Sequence, residues 1–194
     1  MPESLLKEEY ARLTAEIGRN VDSFMKLIVT AVIFVSALMG FAIQQANGYL
    51  FLTSFALLVP CQLILAAIQH NINRIATYII VFLEGEGSGI HWESRLIRLP
   101  GDSFISNGAR MKTGVISVMV ALEIGSLVLS YLFIKQQDLT YYLTVGVAVG
   151  LSIWGIVVYL KSSSDKLKKN YMKTWEDEKR KEAVVVPEVI KAAV

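Results

Sequence analysis

The sequence predicts an all-α integral membrane protein, a four-helix bundle with cytoplasmic helical extensions. Three observations carry that expectation. The chain has 194 residues, 54% of them hydrophobic and 19% charged, which is more apolar than a single soluble core of this size requires. Four apolar stretches, residues 23–43, 49–68, 113–134 and 139–160, each have the length a helix needs to cross about 30 Å of hydrocarbon. The 19 Lys and Arg are also partitioned, because all but Lys135 fall on one side of those stretches.

In chain order, residues 1–22 form the first extension. Leu6, Tyr10, Leu13, Ile17 and Val21 recur at helical spacing while Glu8, Glu9, Arg12, Glu16 and Arg19 fall elsewhere, which describes an amphipathic helix running into the first span. Such a helix lies on the lipid surface or packs on other cytoplasmic helices. Its mixed charge, rather than a basic face, favours packing on protein. Glu3, Glu8, Glu9, Glu16 and Asp22 precede the first apolar run, unlike a secretory signal, so the first span is expected to remain in the mature chain.

Residues 23–160 form the membrane domain. The connection between spans 1 and 2 is uncharged, and that between spans 3 and 4 carries only Lys135 and Asp138. Lys7, Arg12 and Arg19 precede span 1, Lys26 lies in its first turn, and Arg74, Arg95, Arg98, Arg110 and Lys112 lie between spans 2 and 3. The remaining basic residues follow span 4. By the positive-inside rule, both termini and the long loop face the cytoplasm of a bacterial inner (plasma) membrane. Tyr49, Phe51, Tyr131, Phe133, Tyr141 and Tyr142 gather where the spans meet the outer headgroups.

Span 2 is expected to overshoot the bilayer. Ile72, Ile75, Ile79 and Phe82 keep the helical rhythm as far as Glu84, where Gly85, Gly87 and Gly89 end it. A helix over 49–84 would be about 54 Å long and would form a cytoplasmic stem. The loop 85–112 is too long to be only a connector, so a short helix or interfacial element is expected in it. Its Trp92, Arg95 and Arg98 suit either headgroups or a partner protein. Residues 161–194 are a charged cytoplasmic helix and tail, with Leu167, Tyr171 and Trp175 at four-residue steps. That segment is a partner-binding arm, a contact for anionic lipid, or a solvated helix that only fixes topology. The end, 183–194 with Pro187, is expected to be a disordered tail or a short docking strand.

Glu123 is the most informative residue. It sits near the middle of span 3, where an ionised carboxylate costs at least a few kcal/mol unless paired, hydrated or protonated. Ser126 and Ser130 continue a polar stripe on the same face, and span 2 carries Gln62, Gln69, Asn73 and Thr77 at helical spacing beside Pro60. Two readings follow: an ion or proton pathway, or a polar clamp in which Glu123 bonds Gln62 or a hydroxyl and fixes helix packing. Ser117, Ala121 and Gly125 form a smooth face of span 3, and Gly146 and Gly150 a GxxxG pair in span 4, both suited to close helix contact.

Enzymatic signals are weak. The single cysteine, Cys61, excludes an internal disulfide, and His70 and His91 are the chain's two histidines, so no metal site and no cofactor are expected. The GEGSG run from Gly85 lacks the lysine of a phosphate loop, and Glu86 would repel phosphate. A net charge of +2 gives no field for direct nucleic-acid binding.

The leading expectation is therefore a non-enzymatic, oligomeric inner-membrane scaffold or effector that contacts membrane lipid, assembles as a homo-oligomer, and anchors a cytoplasmic protein partner with a possible change in permeability as output. The alternative is a small ion or proton-coupled transporter or channel centred on Glu123. That reading lacks a companion His, Lys or Asp in the other spans. RIATYIIVFLE (Arg74 to Glu84) and IHWESR (Ile90 to Arg95) are similar to stretches of uncharacterised bacterial membrane proteins. In length, four-span layout and charged C-terminal helix, the chain resembles the small membrane proteins of bacterial antiphage systems, such as the membrane subunit of Kiwa. The resemblance implies a cytoplasmic partner that senses nucleic acid or a nucleotide while this chain anchors the complex.

Overall fold

A tight turn closes each pair of apolar helices, and the computed structural model describes residues 3–84, 104–134 and 138–192. The elements are α1 (Glu3–Gln44), α2 (Gly48–Tyr78) continuing into a π segment (Ile79–Leu83), α3 (Phe104–Phe133), α4 (Leu139–Ser162) and α5 (Asp165–Ala192). No strand occurs among the described residues. Four helical stretches, Ser4–Gln44, Gly48–Leu83, Gly114–Phe133 and Leu139–Ser162, are long and apolar enough to cross a membrane.

The amphipathic N-terminal segment and the first span are one unbroken helix. Along its first turns Leu6, Tyr10, Leu13 and Ile17 pack on Ile75, Ile79 and Leu83, so this face is covered by protein. Val21, expected on the same stripe, is exposed. The apolar rhythm drifts off the contact there because α1 begins to follow the bundle rather than the end of α2.

The turn into α2 is built by Ala46, which takes a left-handed φ of 47°, and by Asn47, whose side chain accepts from the Tyr49 N–H at 3.0 Å. Asp138 caps α4 in the same way, accepting from the Tyr141 N–H at 2.9 Å. The two turns lie together, since Tyr49 Oη donates to Asp138 Oδ1 at 3.4 Å and the Tyr49 and Tyr141 rings meet edge to face. Gly48 permits this approach: a Cβ there would fall 2.8 Å from Ser130 O and 2.9 Å from Ile134 N. This hairpin end is opposite the end that carries the N-terminal turns of α1, the π segment and α5, which form the stem.

Helix α2 is the axis of the protein. α1, α3 and α4 each pack along it, while α3 and α4 approach one another little. One apolar cluster joins all four helices through Phe24, Val35, Leu58, Leu65, Met119 and Tyr159. A second, nearer the hairpin end, holds Leu52, Phe55, Tyr141 and Ala148. The outward faces of α1, α3 and α4 expose Ile33, Phe34, Ile124, Val128, Leu143 and Ile153, a surface suited to hydrocarbon and not to water.

Two boundaries and one helix geometry differ from the sequence expectation. α2 does not end as an ordinary α-helix, because its last turn widens to π geometry with Glu84 N–H bonded to Ile79 O at 3.0 Å. α3 begins at Phe104, well before the apolar run at Thr113, because no proline lies between them and the single Gly108 costs too little to end a helix. The C-terminal segment is neither tail nor strand as far as Ala192. α5 runs through Pro187, despite the missing backbone bond and the β-branched Val184, Val185 and Val186 that precede it.

Candidate functional site

The site is assembled by helical periodicity on three elements. Glu123, Ser126 and Ser130 lie at i, i+3 and i+7 of α3, and all three are buried against α2. Glu123 Oε1 accepts from Gln62 Nε2 of α2 at 2.7 Å, and Oε2 accepts from Ser152 Oγ of α4 at 2.5 Å. One carboxyl group thus ties three helices, and both of its partners are neutral. One turn nearer the hairpin end, Ser54 Oγ donates to Ser126 Oγ at 2.7 Å and Ser126 donates to Leu122 O at 2.8 Å. Ser130 is fully buried, and its Oγ has no partner among the described residues.

Glycine again sets the geometry. Gly155 of α4 lies beside the Gln62 carboxamide, and a Cβ at that position would overlap Gln62 Oε1 and come within 3.3 Å of its Cδ. A bulkier residue would push Gln62 away from Glu123. Below this contact, toward the stem, α2, α3 and α4 border a small cleft lined by Gln62, Leu65, Val115, Met119, Ile156 and Tyr159. Gln62 Oε1 and Tyr159 Oη are both buried without a partner among the described residues.

The structure brings Gln62 to Glu123 as expected but separates the rest of the α2 stripe. Gln69 donates to Asn73 at 3.3 Å, Asn73 Nδ2 donates to Ser162 O at 2.8 Å, and Thr77 donates to Asn73 O at 2.9 Å. Gln69 is two turns, about 10 Å, further along α2 than Gln62. Its group serves a different purpose: Asn73 caps one of the orphan carbonyls where α4 ends. Ser152 was not anticipated. Its signal is the one serine within the apolar run 139–160, three residues before a glycine.

The smooth faces proposed for close helix contact make none with the described residues of the chain. Ser117, Ala121, Gly146 and Gly150 are exposed, and a Cβ added at Gly125, Gly146 or Gly150 would meet nothing within 4 Å. The glycines that do mediate packing are Gly48 and Gly155, because helix azimuth turns the others outward.

At the stem, two residues proposed to bind a partner are engaged by α2 itself. Tyr171 Oη bonds the His70 ring, and Trp175 packs edge to face on Tyr78 and Phe82 at centroid distances of 5.5 and 6.1 Å. Lys179 Nζ donates to Val81 O at 2.6 Å, taking up a carbonyl of the π segment. Tyr78 Oη donates to Glu9 Oε1 of α1 at 3.1 Å, so α1 and α5 grip the end of α2 from two sides. Leu167 is half-buried near the start of α5. Trp92, Arg95 and Arg98 lie outside the described residues.

Comparison with known proteins finds no matching family model, no matching curated protein and no matching solved structure.

Proposed function

We propose that this chain is a non-enzymatic scaffold or effector of the bacterial inner membrane, with both termini cytoplasmic, which assembles as a homo-oligomer and holds a cytoplasmic protein partner at the bilayer. One observation carries the reading: α1 and α5 both pack on the end of α2 that continues from its span. A load applied to that stem passes directly into the spans, because each of its three elements is continuous with a span or joined to one by a short turn. The charge pattern supports the orientation, since the hairpin turns carry few charges and the stem carries many. The outward small-residue faces of α3 and α4 support assembly between copies, as close packing between helices in lipid favours Gly, Ala and Ser. A defence role, in which the partner detects a signal in the cell and the membrane subunit supplies recruitment or permeability, fits this arrangement.

The test is removal of the arm. A chain ending after Ser164 is expected to insert and remain in membranes while losing its cytoplasmic partner in co-purification from its native host. Full retention of that partner would reject the arm as its binding element. Reporter fusions at Gly101 and Val194 test the orientation, and a signal from beyond the membrane at either position would reject it.

A further inference from the structure

The charge on the stem changes sign along its length. Tyr78 meets Glu9 and His70 meets Tyr171, and these two contacts fix the heights of α1 and α5 against α2. Crossing about 30 Å of hydrocarbon takes α2 from Gly48 to a point near Ile68, about 20 residues on. The residues at and just beyond that height are 17–26, 65–74 and 161–173, which hold eight Lys and Arg against two acids, Asp22 and Asp165. Further out, 3–16, 75–84 and 174–182 hold five Lys and Arg against nine Asp and Glu.

Lys161, Lys166, Lys169 and Lys173 supply half of the inner band's positive charge, and all four are exposed. Tyr171 and Trp175 turn to α2, so Lys166, Lys169 and Lys173, at i, i+3 and i+7, line the opposite face of α5. None of the four forms an ion pair among the described residues, whereas Lys181 of the outer band pairs with Glu178 at 2.6 Å. The first turn of α5, where Ser164 Oγ accepts from the Leu167 N–H at 3.3 Å, is also the positive end of the helix dipole, which repels Lys166 and Lys169. Topology requires positive charge on this side of the membrane, but it does not require three lysines on one helix face.

We propose that this basic collar binds the phosphates of acidic phospholipids such as phosphatidylglycerol, and so holds the foot of α5 at the bilayer surface. The proposal rests on the membrane reading given above. Height and charge select this occupant. Residues 166–173 rise about 10 Å, close to one Debye length, so their charges lie where an anionic leaflet attracts them. A zwitterionic headgroup carries its own cation beside the phosphate and attracts them less. The same leaflet repels the acids of the outer band, which favours α5 standing along α2 over lying on the lipid.

The test reconstitutes the full chain in phosphatidylcholine vesicles with a trace of chain-spin-labelled phosphatidylglycerol or, separately, chain-spin-labelled phosphatidylcholine. Electron paramagnetic resonance reads the relative affinity for each lipid from its motionally restricted fraction. Wild type is expected to prefer phosphatidylglycerol at least about threefold at low salt. The preference should approach one in 1 M NaCl, where the Debye length is about 3 Å, and this arm reads the same charges without any substitution. Lys166→Gln, Lys169→Gln and Lys173→Gln together are expected to reduce the low-salt preference at least about twofold. Arg180→Gln, in the outer band, is expected to keep it. All four positions are exposed, so the melting temperature should not change. Equal affinity for the two lipids in wild type, or an undiminished preference in the triple variant, overturns the proposal. If that triple variant also loses a cytoplasmic protein in co-purification, the lysines belong to a protein surface instead. Both leaflets of these vesicles have one composition, so the measurement is independent of the orientation that reporter fusions at Gly101 and Val194 read, and either can fail alone.

Discussion

Gly155 of α4 leaves the space that the Gln62 carboxamide of α2 fills as it reaches for Glu123. Gly155→Ala is therefore expected to destabilise the protein by about 1–3 kcal/mol, since the new methyl overlaps a buried amide. Thermal unfolding in detergent measures this. A variant as stable as wild type would show that Gln62 has another place to go.

Ser152 and Gln62 hold opposite oxygens of one carboxyl group, so their contributions are coupled. Ser152→Ala and Gln62→Leu are each expected to cost about 0.6–1.7 kcal/mol, the range for polar contacts between membrane helices. In the double variant the losses should not add, because the first substitution already frees the carboxyl to shift. Strict additivity in a double-mutant cycle would mean that Glu123 does not link the two helices.

The first hairpin turn makes opposite demands at neighbouring positions. Ala46 has a left-handed φ of 47°, which a side chain disfavours by about 1–2 kcal/mol, so Ala46→Gly should raise the melting temperature. Gly48→Ala should lower it by more, because the added Cβ meets the backbone of α3 at Ser130 and Ile134, which cannot rotate away. Equal effects of one sign at both positions would contradict the turn geometry.

Trp175 and Lys179 fasten α5 to the end of α2. Trp175→Ala with Lys179→Met is expected to release α5 while the bundle stays folded, since both side chains touch α2 only at its stem end, at Tyr78, Val81 and Phe82. Hydrogen exchange should accelerate over 165–181 and at the amides of the π segment, but not near Glu123. Protection unchanged in α5 would show that its first turns alone hold it.

Gly146 and Gly150 face away from the chain that carries them. Replacing both with Leu should leave the thermal stability of the monomer within about 0.5 kcal/mol, as for other surface substitutions. If the homo-oligomer uses this face, the same variant should dissociate in detergent. An oligomer of unchanged mass would remove this face from the proposed assembly.

The sequence alone determined the elements and their surroundings. Hydropathy sums over about 20 residues pick out four helices long and apolar enough to cross a membrane, and the helical rhythm of Ile72, Ile75, Ile79 and Phe82 carries α2 beyond its apolar run. A lone carboxyl in such a span has few physical options, so Glu123 is legible as a residue that must face protein or water, with Gln62 or a hydroxyl as its donor. Which serine would complete the pair was not legible, nor which glycines would lie at contacts. Ser152, Gly48 and Gly155 look locally no different from Ser117, Gly146 and Gly150. Periodicity shows which residues share a face, whereas the rotation of each helix about its axis depends on packing against α2 by all the others at once. The same reason governs the stem. Tyr171 and Trp175 form an aromatic stripe that reads as free surface in one dimension, and only the three-dimensional approach of α5 to the π segment turns that stripe inward against His70, Tyr78 and Phe82.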